Sequence, residues 1–150
     1  MNKSKGLDSS NMHHHPIAVE LMIVDTMDGE TFEYYCADLL RINGFSQVRL
    51  TKGSGDQGVD ILAEKDAITY AIQCKCCSGN LGNKPVQEVY TGKSIYRCQI
   101  AAVMTNSCFT RGGIEAAMAT GVLLWDRQKL TELIAHAKQN ASSRYPTIDA

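Results

Sequence analysis

Ile68-Thr69-Tyr70-Ala71-Ile72-Gln73-Cys74-Lys75-Cys76 is the stretch that decides the fold. Ile68, Tyr70, Ile72 and Cys74 alternate with Thr69, Ala71, Gln73 and Lys75, the two-residue period of a β-strand with one apolar and one partly polar face. Gln73 and Lys75 therefore share a face. Upstream, residues 45–51 and 59–64 also read as strands, separated by Lys52-Gly53-Ser54-Gly55-Asp56-Gln57-Gly58, and Lys65-Asp66 supplies a tight turn before Ile68. The three strands form an antiparallel meander. With Lys65-Asp66 as a two-residue loop, Glu64 pairs with Ala67, Leu62 with Thr69 and Asp60 with Ala71, on the face that carries Gln73. Asp60 and Gln73 are then diagonal neighbours, roughly 7–8 Å apart between backbones, a gap that side chains can close around a shared ion. A loop one residue longer would turn Asp60 to the apolar face, where burying its carboxylate is costly.

Working outward, Asp28 is a good N-cap and Asn43-Gly44 a good stop for a helix in which Phe32, Tyr35, Cys36, Leu39 and Leu40 recur at helical spacing. Glu33 borders that stripe and can point inward. Residues 1–22 read as a flexible leader, polar over 2–11, with His13-His14-His15 read as part of a frayed end. On the other side, Pro85 suits a first helical residue, and Val86, Val89 and Tyr90 mark a helix to about Arg97. Residues 99–104 read as a buried strand ended by Thr105-Asn106, residues 109–120 as a helix, and residues 122–125 as a short strand. Asp126 caps a last helix through Leu130, Leu133 and Ile134, and residues 140–150 read as a tail.

The chain of 150 residues fits one domain, and its 44% hydrophobic and 21% charged residues, with both signs interspersed, suit a soluble globular protein. No apolar run approaches the ~20 residues of a membrane span. The six cysteines follow no basic and apolar leader, so they read as reduced thiols of a cytoplasmic protein. Cys74, Cys76 and Cys77 lack the two spaced pairs of a structural zinc site. The net charge of −1 and pI near 6.4 give no whole-chain support for nucleic acid. DNA binding would need basic residues gathered on one surface, or a second subunit.

Asp60, Gln73 and Lys75 nevertheless suit phosphodiester hydrolysis. A divalent ion polarises the phosphate and lowers the pKa of a bound water, while a cation offsets the developing negative charge. Mg²⁺ takes hard oxygen donors. Asp60 offers a carboxylate, Gln73 a neutral carbonyl oxygen, Lys75 an ammonium, and Glu33 a further carboxylate, directly or through water. Lys52, Ser54 and the amides near Asn83-Lys84 could hold DNA phosphates, and Gln87 lies in a first helical turn near the site. Bland alternatives exist for each: an exposed strand face for Gln73 and Lys75, a turn carboxylate for Asp60, a helix-dipole partner for Glu33 and Glu88. Asp56 would shape the glycine loop, and Trp125 is read as core.

Taken in order, several short motifs resemble one family. They are Phe32-Glu33, Leu39-Leu40 with Gly44-Phe45, Ser54-Gly55-Asp56-Gln57-Gly58-Val59-Asp60, Gln73-Cys74-Lys75, Val86-Gln87-Glu88, Thr105-Asn106 with Phe109-Thr110, and Leu124-Trp125-Asp126. Over about residues 28–130 the chain is similar to the Mrr-like restriction endonucleases of the PD-(D/E)XK nuclease superfamily. The resemblance implies a three-layer α/β sandwich with a central mixed sheet, ordered α-β-β-β-α-β-α-β-α, with residues 23–139 as the nuclease domain. It implies Mg²⁺, or Mn²⁺ in its place, held by Asp60 and Gln73, with Asp60, Gln73, Lys75 and Glu33 catalytic. It implies DNA as substrate, a type IV restriction activity, a homodimer that brings two sites to two strands, and a separate recognition partner. Gln73 stands where the wider superfamily usually has a carboxylate, so a glutamate there is expected to lower the Mg²⁺ requirement. A Holliday-junction resolvase is similar in fold but has an acidic residue at that position. A catalytically dead DNA-binding module is the remaining alternative, against which Asp60 and Lys75 argue.

Overall fold

The computed structural model describes residues 15–51 and 57–144. Its elements are α1 (Ile17–Val24), α2 (Gly29–Ile42), β1 (Ser46–Leu50), β2 (Ile61–Lys65), β3 (Ile68–Lys75), α3 (Asn83–Ile95), β4 (Ile100–Thr105), α4 (Arg111–Thr120), β5 (Leu123–Trp125) and α5 (Arg127–Arg144). Asp28 and Asp126 start helices as expected, Oδ1 accepting from Thr31 N–H at 2.7 Å and from Lys129 N–H at 3.1 Å. Thr110, expected from the sequence to lie inside a helix, caps α4 instead, its Oγ1 accepting from Gly113 N–H at 3.2 Å.

The sheet order is β1-β2-β3-β4-β5, antiparallel from β1 to β3 and parallel from β3 to β5. Alternation along the strands sends their side chains into two cores. Ile61, Ala63, Ile72, Cys74, Ala102 and Met104 pack with Phe32, Leu40, Leu130 and Ile134 from α2 and α5. Leu62, Ala71, Ala101 and Val103 pack with Val86, Val89 and Ala117 from α3 and α4. Helices thus cover both faces of a mixed sheet, the three-layer α/β sandwich expected from the sequence.

The β2–β3 hairpin corrects the expected register. Lys65 pairs with Ile68, Leu62 with Ala71 and Ile61 with Ile72, so the loop is Asp66-Ala67 rather than Lys65-Asp66. Lys65 stays in the strand because its ammonium lies 5.0 Å from the centre of the Phe45 ring and donates to Asn43 O at 3.3 Å. The register moves by two residues, which preserves the face of every paired side chain, and Asp60, one residue before β2, donates its N–H to Ile72 O at 2.8 Å.

The termini also differ from expectation. Within the expected leader of residues 1–22, Ile17–Val24 is a helix whose Ile17, Leu21 and Val24 pack against the core formed by α2 and α5. Its Glu20 is 1% exposed, accepts from Tyr35 O–H at 3.0 Å and lies 2.7 Å from Lys138. Burial, with the Glu20 charge beside it, pushes the Tyr35 phenol well above its ordinary range, so it remains a donor. His13 and His14 lie outside the described residues. At the other end, α5 runs to Arg144, past the expected start of the tail at residue 140, and residues 145–150 lie outside the described residues.

Asp66 and Ala67 take φ of 52° and 65°, and both are exposed. A left-handed alanine costs on the order of 1 kcal/mol relative to glycine. Ala67→Gly is therefore expected to raise the unfolding free energy by about 1 kcal/mol in urea titration. A lowered midpoint would contradict this turn.

Candidate active site

At the start of β2 the chain is held on both sides. Asp60 N–H donates to Ile72 O at 2.8 Å, and Thr51 N–H donates to Asp60 O at 3.0 Å. Thr51 Oγ1 also donates to Val59 O. The Asp60 side chain turns onto β3, where Oδ2 accepts from Cys74 N–H at 2.8 Å. Its carboxylate is thereby fixed at the backbone between Gln73 and Lys75.

Gln73 lies on the α3 side of β3 and is 4% exposed. Its Nε2 donates to Glu88 Oε2 at 2.9 Å, while its Oε1 is buried with no hydrogen-bond partner. A buried carbonyl left this way costs stability unless another group satisfies it. Lys75, two residues on, is exposed at the end of β3, opposite Thr105 of β4. Among the described residues it takes part in no salt bridge.

Glu33 comes from α2, on the other side of the sheet, and is half-buried. The Cys74 thiol is pushed well up by its hydrogen bond with Cys36, then by burial, then by the charges of Cys36, Asp60 and Glu33. The charges of Glu33 and Asp60 thus both bear on the Cys74 thiol of β3.

Close packing sets α3 against this corner. Gly58, at φ 74°, has Glu88 Cβ and O both 2.9 Å from where a side chain would begin. A Cβ on Gly92 would lie 2.4 Å from Gln57 O and 2.5 Å from a Val59 methyl. Residues 57–59 therefore lie directly on α3, which places Glu88 opposite Gln73.

The chain beyond Lys75 is tied down by a network the sequence did not signal. Asn106 Oδ1 accepts from Cys77 N–H at 2.9 Å, and Asn106 Nδ2 donates to Asp25 Oδ1 at 3.0 Å. Arg127 donates to both Asp25 oxygens, at 2.8 and 3.1 Å, and to Asn106 O at 2.9 Å. These bonds, from Arg127 first and Asn106 after it, outweigh partial burial and hold the Asp25 carboxyl below its ordinary range.

The other expected residues divide. Gln87 is exposed, and its neighbour Glu88 makes the contact with Gln73. Lys84 is exposed one turn earlier on α3, 3.9 Å from Glu88 Oε1. Lys52, Ser54 and Asp56 lie outside the described residues. Trp125 is 8% exposed and packs 6.1 Å from both Phe45 and Tyr70, a core position.

No cluster of three His, Cys, Asp or Glu side chains able to hold a metal occurs among the described residues. Cys74 faces the core, Cys76 Sγ turns to Val24 O and Cys77 Sγ to Gly79 O, so these thiols form no common donor set. What Asp60 and Gln73 offer instead is a carboxylate and an unpartnered carbonyl oxygen. Both are hard donors, and the pair fits Mg²⁺, which commonly takes one or two protein ligands and fills its octahedron with phosphate and water.

The restriction endonuclease family represented by the Mrr catalytic domain matches residues 24–134. No match was found among curated proteins. Among solved structures, the DNA modification-dependent restriction endonuclease AspBHI superposes with TM-score 0.61 at 16% identity, over 87% of this chain and 39% of its own. MspJI restriction endonuclease in complex with a 27-mer oligonucleotide gives TM-score 0.59 at 16% identity, over 90% and 33%. AF1548, a protein of unknown function, gives 0.54 at 23% identity, over 63% and 55%. These likenesses are of fold, and the chain spans 33–55% of the length of the three structures.

Two substitutions probe the supports of the site. Gly92→Ala forces a methyl into backbone and is expected to cost about 1–3 kcal/mol in chemical denaturation, as overpacking does. An unchanged midpoint would contradict the close seat on α3. The lowered Asp25 pKa contributes stability that is present above the unfolded value, about 3.9, and lost as pH falls through the folded one. Wild type should accordingly exceed Asp25→Asn in stability at pH 6, with the gap closing below about pH 4 in urea titrations. A gap that is constant with pH would contradict the pairing.

Proposed function

The chain belongs to the Mrr-like restriction endonuclease family, and from that membership we propose that it is a metal-dependent DNA endonuclease, a type IV restriction enzyme, that hydrolyses phosphodiester bonds. The observation that carries this reading is the buried, unpartnered Oε1 of Gln73, with the Asp60 carboxylate fixed on the next backbone amide of β3, that of Cys74, and the Lys75 ammonium two residues along from Gln73 on the same strand.

Bound Mg²⁺, or Mn²⁺ in its place, would polarise the phosphate and make a bound water acidic enough to supply hydroxide. Asp60 and Gln73 would hold the ion. The Cys74 amide keeps the Asp60 carboxylate from rotating away, so little reorganisation is needed when the ion arrives. Lys75, without a competing salt bridge among the described residues, meets the negative charge that grows on the phosphate. Glu33 supports the site directly or through a water. Lys84, with Lys52 and Ser54, holds DNA phosphates, and Gln87 lies exposed on the same helix as Lys84.

DNA is the substrate by analogy with the DNA modification-dependent AspBHI and the oligonucleotide-bound MspJI, and we propose a separate recognition partner. Two copies then present one site to each strand. The six cysteines are free, which accords with a reducing cytoplasm. No helix of the described residues is long and apolar enough to cross a membrane.

The test is incubation of the purified protein with supercoiled plasmid and with a four-way junction, in Mg²⁺, Mn²⁺ or EDTA, beside Lys75→Ala. Plasmid nicking and linearisation that require the ion, and that fall about 10²–10³-fold in the variant, are expected. Cutting confined to the junction would replace this reading with a resolvase, and DNA binding without cutting would replace it with an inactive module.

A further inference from the structure

We propose that Glu88 is a positioning residue for the ion site, one that holds the Gln73 amide with its nitrogen toward α3 and its carbonyl oxygen toward the cation. This rests on the reading of Asp60 and Gln73 as ion ligands.

An amide side chain is nearly symmetric in shape, and a half-turn about its last bond exchanges an acceptor oxygen for a donor nitrogen. Only one of the two orientations offers a lone pair to a cation. Exposed glutamine would interconvert freely with water at either end, but Gln73 is 4% exposed. Its orientation is therefore decided by its protein neighbour. Ionised Glu88 only accepts hydrogen bonds, and Oε2 stands 2.9 Å from Nε2. Reversing the amide would set two oxygens at that separation with no proton between them. Glu88 thus selects the orientation in which Oε1 is the buried atom without a partner.

The supports of Glu88 are unusually close. Gly58 packs against its Cβ and carbonyl oxygen, leaving no room for a side chain there, and Gly92 one turn later brings Gln57 and Val59 into contact with the same helix. Lys84 Nζ lies 3.9 Å from the other carboxylate oxygen, Oε1, so each oxygen has its own neighbour.

One consequence reverses the expectation drawn from the sequence. The Gln73–Glu88 pair carries a single negative charge, and that charge sits on α3 rather than β3. Gln73→Glu alone would press a second carboxylate against Glu88 and would not give a better ion ligand. The exchange Gln73→Glu with Glu88→Gln keeps one charge and one N–H···O bond, with donor and acceptor exchanged.

The experiment is Mn²⁺ titration by calorimetry on the intact protein without DNA, beside metal-free thermal unfolding. Glu88→Ala is expected to weaken Mn²⁺ binding by about 10–100-fold, as removal of a group that orients a ligand does, while the metal-free melting temperature stays within a few degrees. Glu88→Gln, which retains an acceptor, should lose less than Glu88→Ala. Gln73→Glu should bind no more tightly than wild type, and adding Glu88→Gln to it should restore tight binding. Wild-type affinity in Glu88→Ala, or tighter binding by Gln73→Glu alone, would overturn the proposal. Should Glu88→Ala not fold, the single and double exchanges decide the matter. Asp60→Ala separates the two levels of the argument: binding lost there but kept in Glu88→Ala overturns the role of Glu88 alone, whereas a wild type that binds no Mn²⁺ overturns both.

Discussion

The seat of residues 57–59 on α3 is the contact on which the site depends. Glycine at 58 and at 92 lets backbone meet helix at distances that no Cβ could share. Because the helix sits that close, a side chain of ordinary length on it, Glu88, reaches the amide of Gln73. The same seat delivers the chain into β2 at the height where Asp60 meets the Cys74 amide. One packing constraint therefore aligns a helix, a loop and a strand.

β3 does double duty. Its Ile72 and Cys74 wall the core under α2 and α5, and Ala71 walls the one under α3 and α4. Near its end the same alternation that served packing presents Gln73 and Lys75 together. Parallel pairing with β4 through Lys75 and Thr105 keeps that end from fraying, and Asn106 catches the Cys77 amide as the strand leaves the sheet. The Asp25–Arg127 pair, partly exposed, contributes modestly to stability but joins the ends of α1 and α5 at this exit. The candidate site's polar groups thus lie at the end of β3, on a backbone held by packing on both faces of the sheet.

Much of this was legible in the sequence, for physical reasons that can be named. The period of two in β3 and the caps at Asp28 and Asp126 are local rules, and local rules survive folding. The hairpin register was missed by two residues because no glycine or asparagine marks the loop, while Lys65 has a tertiary reason, the Phe45 ring, to remain in the strand. α1 was missed because IAVELMIV is apolar almost throughout and shows no helical period; it is a helix by virtue of what it packs against. Glu88 could not be told from Gln87 since both fall in one helical turn, and only the approach of α3 decides which one meets β3. The Asp25–Arg127 pair spans 102 residues and left no trace in spacing.

The central claim is that Asp60 and Gln73, the latter through Oε1, ligate one divalent ion. Crystals grown with Mn²⁺ and measured for anomalous scattering test it most directly. The account predicts a single peak about 2.1 Å from both Gln73 Oε1 and an Asp60 carboxylate oxygen, with Gln73 Nε2 still on Glu88. A peak bound to Glu88 with Gln73 turned away, or saturating Mn²⁺ with no peak at Asp60, would contradict it.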